Sequence, residues 1–369
     1  MKILTFLHSF EPGGVERIAL RLVRHWRSSG IEASLFMGRA DGAMAEDVGK
    51  DLDFLAPRQP FFDTAAWETL WMMVTLPGHI RQERPDILFC AGNSYTVVAV
   101  ALKLILGARC PPIIAKISND LDRRDMPLPL RLLYHLWLRI QAPFLDHVVA
   151  LADPMTLEIS GRMGKSDAHV SVIADPALSL AMIDTVRGKA ARCGASAGRH
   201  FVTIGRLAPQ KKLSVMLEAF ALGRKKTDRL TIIGDGPERT KLGALAARLG
   251  IADIVEFRGH CAEPALSLRD YDIFLLSSDY EGVPAVIIEA LAANLVIIAT
   301  DCSRSMKALL GHGTLGMLVA PRDVAAMAQA INTANPASQN AEASLLQARY
   351  YTIEKASENY LRLFRACLR

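Results

Sequence analysis

Short apolar runs alternate with amphipathic stretches along nearly the whole chain. Residues 2–7 and 32–37 read as buried strands, and 15–29 between them repeats its apolar positions at helical spacing. Runs at 87–90, 113–117, 147–150 and 170–173 predict four more short strands. This rhythm of strand, helix and strand predicts a mostly parallel sheet with helices on both faces. The pattern weakens over 174–199, where small residues, glycines and basic charge show no strong period; a linker is expected at 176–199. A second series of strands follows at 200–204, 230–233, 254–258, 273–276, 296–299 and 316–319. The expected architecture is α/β: two Rossmann-like domains with parallel sheets, at 1–175 and 200–351. A final amphipathic helix at 352–369 is expected to pack back on the first domain. No short-period repeat is visible.

Composition narrows the class without naming a ligand. A chain of 369 residues suits two domains of ordinary size. With 51% hydrophobic and 22% charged residues it is a globular and not a disordered sequence. A net charge of +5 and a pI near 8.9 favour anionic ligands or an anionic membrane surface, and fall short of a nucleic-acid signature. The six cysteines are scattered without C-x-x-C pairing, so neither a disulfide framework nor a zinc site is suggested. The first residues read as a strand and not as a signal peptide, and no run reaches the ~18–20 apolar residues of a spanning helix. A cytoplasmic protein is expected.

The stretch EGVPAVIIEALAANLVIIATD, 281–301, carries the most chemistry. Glu281 and Glu289 bracket the start of a predicted helix, with Pro284 at its first position. The unpaired amides and positive dipole end of such a helix suit a phosphate group. Glu289 is expected about two turns in, roughly 8–12 Å further along the axis than Glu281. A cap and a solvated glutamate would explain the same residues. Three strand-to-helix turns add candidates. HSFEPGG at 8–14 places Gly13 and Gly14 where open α/β sheets bind ligands. GRLAPQKK at 205–212 offers Gly205, Arg206 and Lys211, a planar fork and a point charge for a diphosphate. IGDGPER at 233–239 frees the backbone at Gly234 and Gly236, with Pro237 and Glu238 suited to a first helical turn. Each turn alone is as consistent with no ligand.

Other signals are weaker. Asp-x-Asp occurs at Asp51–Asp53 and Asp120–Asp122, where a metal-bound diphosphate could sit, but such pairs are frequent in loops. The basic, aromatic-bearing stretches 123–144 and 67–82 can lie on a membrane surface or simply pack on a sheet.

Taken in order, the PGG loop at 12–14, GRLxxxK at 205–211, GDGPE at 234–238 and the Glu281/Glu289 pair resemble the retaining glycosyltransferases of GT-B fold, group 1 or family 4. The resemblance covers nearly the whole chain and is strongest over 201–321. It implies two domains facing across a cleft, with Arg206 and Lys211 on the donor pyrophosphate and Glu281 on the donor sugar. It further implies that the amides of Gly282 and Val283 meet sugar and phosphate, that Glu289 holds the ribose, and that Gly14 lies near the donor phosphate. The donor would be a UDP- or GDP-sugar, with no metal or other cofactor. A lipid-linked or saccharide acceptor at the inner membrane face would receive the sugar. The chain departs from the family pattern at three places. The usual histidine after the strand at 113–117 is absent, leaving Ser118, Asn119 or Asp120 for that contact. Asn294 and Val296 stand where Gly and Pro are usual, and Lys307 replaces a common glutamate. These departures admit a non-catalytic nucleotide-sugar-binding partner subunit. A sugar-nucleotide epimerase on the same fold is a further alternative, with His8 and His260 as its suggestive side chains.

Overall fold

The computed structural model describes all residues except 12, 43, 46–51, 60–66, 120, 124–125, 189–197, 262 and 369. It divides into two compact units, Met1–Asp175 with Ile353–Arg369, and Pro176–Thr352.

The first unit is built on six parallel strands: β1 (Lys2–Leu7), β2 (Glu32–Met37), β3 (Ile87–Cys90), β4 (Ile113–Lys116), β5 (His147–Ala150) and β6 (Val170–Val172), in the order β2-β1-β3-β4-β5-β6. Ile3, Leu4, Phe6 and Leu7 of β1 are fully buried, as expected of a strand covered on both faces. Right-handed crossovers place the helix Gly14–Ser28 on one face and the helices of the later connections on the other. Those helices, Glu68–Glu83, Thr96–Leu106, Leu128–Gln141 and Asp153–Met163, pack in succession. The C-terminal helix Ile353–Cys367 lies on Gly14–Ser28, where Trp26 meets Phe364 edge-on at 5.6 Å and Tyr360 at 6.2 Å. Each such aromatic pair adds about 0.5–1.5 kcal/mol beyond the area it buries.

The second unit repeats the plan with β7 (His200–Ile204), β8 (Arg229–Ile233), β9 (Val255–Gly259), β10 (Ile273–Leu276), β11 (Val296–Thr300) and β12 (Met317–Val319), ordered β12-β11-β10-β7-β8-β9 and parallel throughout. Its core gathers Phe201, Leu217, Phe220, Leu230, Ile273 and Ile298, among others. Arg199 donates to the carbonyls of Ile331 (2.6 Å) and Ala334 (3.0 Å), capping the helix Val324–Thr333 with a buried charge that Asp228 balances.

Three expectations are corrected. Residues 180–188 are not linker but a helix, Leu180–Gly188, of the second unit. Only Ile183 and Val186 bury against their neighbours, too few apolar positions to show a period. Pro284 is the N-cap residue, and the helix begins at Ala285; its ψ of 107° is extended and not helical. Likewise the helix after IGDGPER begins at Arg239, one residue beyond Glu238.

In each sheet the strand order reverses once, between β1 and β3 in the first unit and between β7 and β10 in the second. The loops leaving the carboxyl ends of those paired strands diverge and leave a crevice, the usual ligand position of an open α/β sheet. Among the described residues no helix is long and apolar enough to cross a membrane.

Candidate active site

At the second switch point the loop after β7 meets the loop after β10. The Lys211 ammonium lies 2.5 Å from Glu281 Oε1, and the Ser278 hydroxyl donates to the same oxygen at 2.7 Å. Ser277 Oγ holds the Lys211 carbonyl at 2.7 Å, and the Asp279 amide donates to the Gln210 carbonyl at 2.9 Å. These bonds stitch the two loops together, so the lysine and the glutamate are positioned by backbone and not only by each other. The pair is half open: the side chains keep 23% and 13% of their exposure. A small crevice here is lined by Gly205, Arg206, Lys211, Ser277 and Ser278. Arg206 is exposed at its mouth.

Beyond Glu281 the peptide joining Gly282 to Val283 is fixed from beneath. Ser303 and Ser305 both donate to the Gly282 carbonyl, at 2.7 and 2.8 Å. In a trans peptide the carbonyl and the next N–H point in opposite directions, so these hydroxyls turn the Val283 amide away from themselves. The helix Ala285–Ala292 has no side-chain cap among the described residues, which leaves its dipole end available to an anion. Glu289 is half-buried on this helix, four residues past its start and so about 6 Å along the axis from Ala285.

Beside the pair, Asp279 accepts from Nε and Nη2 of Arg322 at 2.9 and 2.8 Å, with Lys212 at 3.5 Å. Burial alone would raise its pKa; the Arg322 and Lys212 cations more than offset this and hold it below the ordinary carboxylate value. Gly205 and Gly234 serve the backbone itself. A Cβ on Gly234 would lie 2.0 Å from the Gly205 carbonyl oxygen, so glycine is required there whether or not a ligand binds. Cys302, whose carbonyl accepts from the Glu281 amide, is buried, and burial with the nearby Glu281 charge pushes its thiol up to about 12. It is no nucleophile at neutral pH.

The first unit's switch point is built differently. The Tyr95 hydroxyl donates to Glu16 Oε1 at 2.6 Å, and the His8 ring lies on Tyr95 with centroids 4.6 Å apart. Burial lowers the pKa of His8 despite the Glu16 charge, so the ring is neutral at pH 7. Gly13 is the N-cap of the helix Gly14–Ser28, and a Cβ there would meet Glu16 Oε2 at 2.0 Å. Gly14 is exposed, with open space where a side chain would go. Ser118 is buried; its amide donates to Asn93 Oδ1 at 2.7 Å. Asn119 is exposed, and Asp120 lies outside the described residues, as does Asp51. Asp122 is paired with Arg162. Among the described residues no group of three or more His, Cys, Asp or Glu is placed to hold a metal ion.

A cavity of about 460 Å³ opens elsewhere in the second unit, bordered by His200, Arg229, Asp253, Glu256 and Arg258. It lies at the amino-terminal ends of β7, β8 and β9, away from the edge where such sheets bind ligands. Its charges partly satisfy one another, Arg258 lying 3.1 Å from Glu256. We therefore place the site at the switch point.

Comparison with known proteins gives the family and the fold. A model of Glycosyltransferase Family 4 matches residues 12–175, and one of Glycosyl transferases group 1 matches 198–334. The chain belongs to the group 1, family 4 glycosyltransferases. Its fold is of the GT-B type: HepE of Anabaena, solved with UDP and glucose, superposes with a TM-score of 0.76 at 18% identity, over 99% of each chain. Among curated relatives, an exopolysaccharide phosphotransferase of Streptomyces coelicolor is 30% identical over 198 residues, 53% of this chain and 20% of that protein. A Campylobacter jejuni N-acetylgalactosaminyltransferase acting on a diphospho-undecaprenol-linked sugar is 29% identical over 136 residues, 37% of each. The chain thus spans well under half the length of these relatives.

Two departures from the family pattern are accommodated in this chain. Asn294 sits at φ 63°, in the left-handed region just past the helix Ala285–Ala292, where Asn is tolerated better than most residues. Lys307 is exposed and reaches Asp301 at 3.8 Å. Ser278, Ser303, Ser305, Glu16 and Tyr95 were not singled out from the sequence. A cluster of serines after each of two strands, SSDYE and TDCSRS, was the available signal.

Proposed function

We propose that this glycosyltransferase moves a hexosyl or N-acetylhexosaminyl group from a UDP- or GDP-sugar to a hydroxyl of a lipid-linked or saccharide acceptor, with retention at the anomeric carbon. The half-open Lys211–Glu281 pair at the β7/β10 switch point carries this reading. Breaking the sugar–phosphate bond builds negative charge on the departing diphosphate and positive charge on the anomeric carbon. Lys211 and Arg206 supply fixed cations for the former, and the Val283 amide adds a preorganised dipole. Glu281, held by Ser278, offers an acceptor to the sugar hydroxyls, and Glu289 one to the ribose. In the retaining course the acceptor oxygen bonds to the anomeric carbon on the face that the diphosphate leaves. A diphosphate oxygen takes the acceptor's proton, so no protein base is needed. With two cations present we expect no metal requirement, and donor turnover should survive EDTA.

The Campylobacter relative's lipid-linked substrate and the UDP and glucose bound to HepE support the donor and acceptor classes named. An epimerase has less support, because the His8 ring is neutral and packed on Tyr95 and His260 is exposed. The test is a panel of UDP- and GDP-sugars scored for slow hydrolysis, with product anomers read by NMR. One donor hydrolysed by the wild type and not by Glu281→Ala, with its anomeric configuration kept on transfer, is the expected result. Thermal stabilisation by nucleotide sugars, with no hydrolysis and no transfer to any acceptor, would replace this reading by the non-catalytic partner subunit.

A further inference from the structure

The loop that carries Glu281 is tied a second time, on its outer side. Lys211 and Lys212 are neighbours, and each reaches one of two carboxylates that stand two residues apart. Lys211 meets Glu281 at 2.5 Å, and Lys212 meets Asp279 at 3.5 Å. Arg322 closes the outer contact with two hydrogen bonds to Asp279, at 2.9 and 2.8 Å. The backbone is tied along the same line, because the Gln210 side chain donates to the Tyr280 carbonyl at 2.7 Å. One carboxylate thus joins the loops after β7, β10 and β12, although β11 lies between β12 and β10 in the sheet.

Both outer cations sit on strained backbone. Lys212 has φ 47° and Arg322 φ 65°, in the left-handed region that residues other than glycine avoid. The strain at Arg322 is not matched by stability. Its side chain keeps 69% of its exposure, and an exposed ion pair adds little to folding. Glycine would take the same turn without strain, so the fold does not call for an arginine there. Strained residues of this kind cluster at functional sites. The two ties also differ in permanence. Lys211 belongs to the half-open pair, and a donor diphosphate that draws its ammonium away loosens the inner tie just when Glu281 must be in place. The planar fork of Arg322, with Lys212, keeps the outer one.

We infer that Arg322 is a positioning residue: with Lys212 it clamps Asp279, so that Glu281 holds its place when Lys211 turns from it to the donor. The role rests on the proposed assignment of the β7/β10 crevice to a donor diphosphate.

Hydrogen exchange on the ligand-free chain tests the clamp without turnover. The Asp279 amide donates to the Gln210 carbonyl and the Glu281 amide to the Cys302 carbonyl, so both report on the loop. Lys211→Ala, which removes the inner tie, should leave their exchange nearly unchanged. Adding Arg322→Gly should speed it about tenfold or more. In turnover, Arg322→Gly should lower donor kcat about tenfold with KM within about twofold, since a small displacement of a positioned group is felt mainly in the transition state. Its melting temperature should not fall, because glycine relieves the strain at φ 65°. Arg322→Lys should keep part of the kcat that Arg322→Gly loses, a point charge standing in for the fork. Unchanged exchange in the Lys211→Ala, Arg322→Gly double variant, or wild-type kcat in Arg322→Gly, overturns the clamp while the donor reading stands. A melting temperature that drops together with kcat assigns Arg322 to the fold and overturns it too. A wild type that hydrolyses no donor overturns the donor reading and with it the positioning role; the exchange data tell the two failures apart.

Discussion

Each unit joins a lysine at or just after a strand's carboxyl end to a carboxylate, and the two pairs differ in what surrounds them. In the first unit Lys116, at the end of β4, meets Asp175 at 2.8 Å with side chains only 1% and 10% exposed. In the second, Lys211 meets Glu281 at 2.5 Å with 23% and 13% exposed. A sealed pair has already lost its water and can only be broken at a cost; it acts as a strut. A half-open pair beside a crevice can exchange its partner for a phosphate or a sugar hydroxyl. The same two functional groups therefore serve stability in one sheet and chemistry in the other, with solvent access deciding which.

Removing one partner from each pair separates the two roles. Asp175→Ala leaves a fully buried ammonium uncompensated, which should cost the first unit about 3–5 kcal/mol. A large drop in its melting temperature is expected, with donor hydrolysis by the second unit's site retained below that temperature. Lys211→Ala should do the opposite. Turnover should fall a hundredfold or more, as for other removed electrostatic donors, while thermal unfolding moves by no more than about 1 kcal/mol. Intact donor hydrolysis in Lys211→Ala would dismiss the pair as catalytic machinery.

Acid should also distinguish the units. Burial, with the charges of His169 and Lys165, pushes His147 down from 6.5 to about 4. The folded state then binds fewer protons than the unfolded one between those values. The stability tied to a neutral His147, which shares a 2.9 Å hydrogen bond with Ser171 Oγ, is present above pH 6.5 and is lost as pH falls toward 4. In the second unit burial would raise Asp228, but Arg199 and the Lys225 amide hold it below the usual carboxylate value of 3.8. That contribution persists down to about pH 3.8 and is lost only below it. On acidification the first unit should melt earlier, and His147→Gln should flatten its pH dependence between 6.5 and 4. Equal acid sensitivity of both units by hydrogen exchange would refute this.

Strands were legible because a strand covered on both faces must be a continuous apolar run; β1, β2, β3, β5, β7 and β10 begin and end where the runs do. The helix Leu180–Gly188 was not, since two buried residues make no period. Charged members of the site were legible for a related reason: Arg206 and Lys211 share one short segment, and Glu281 and Glu289 lie on a loop and the helix that directly follows it. The hydroxyls of Ser278, Ser303 and Ser305, and the Tyr95–Glu16 bond across 79 positions, depend on how strands are ordered and leave no local pattern. Periodicity marks a helix's apolar stripe but not the direction it faces, so the exposed leucines of Leu128–Gln141 emerged only in the fold.

The smallest expected effect probes the most indirect part of the site. Ser303 and Ser305 touch no proposed substrate group; they hold the Gly282 carbonyl and, through the peptide plane, aim the Val283 amide. Both hydroxyls lie within hydrogen-bond distance of that carbonyl, and 2.7 Å from each other. Loss of one leaves the other in place, so Ser303→Ala or Ser305→Ala alone should lower donor kcat/KM only about two- to threefold. Loss of both frees the peptide to rotate. With about 1 kcal/mol for each hydrogen bond, the double variant should fall roughly tenfold or more, exceeding the product of the singles, with its melting temperature little changed. Additive effects would mean that each serine acts by packing alone. A kinetically silent double variant would mean that the Val283 amide does not meet the diphosphate, leaving Lys211 and Arg206 as the whole of its electrostatic cradle.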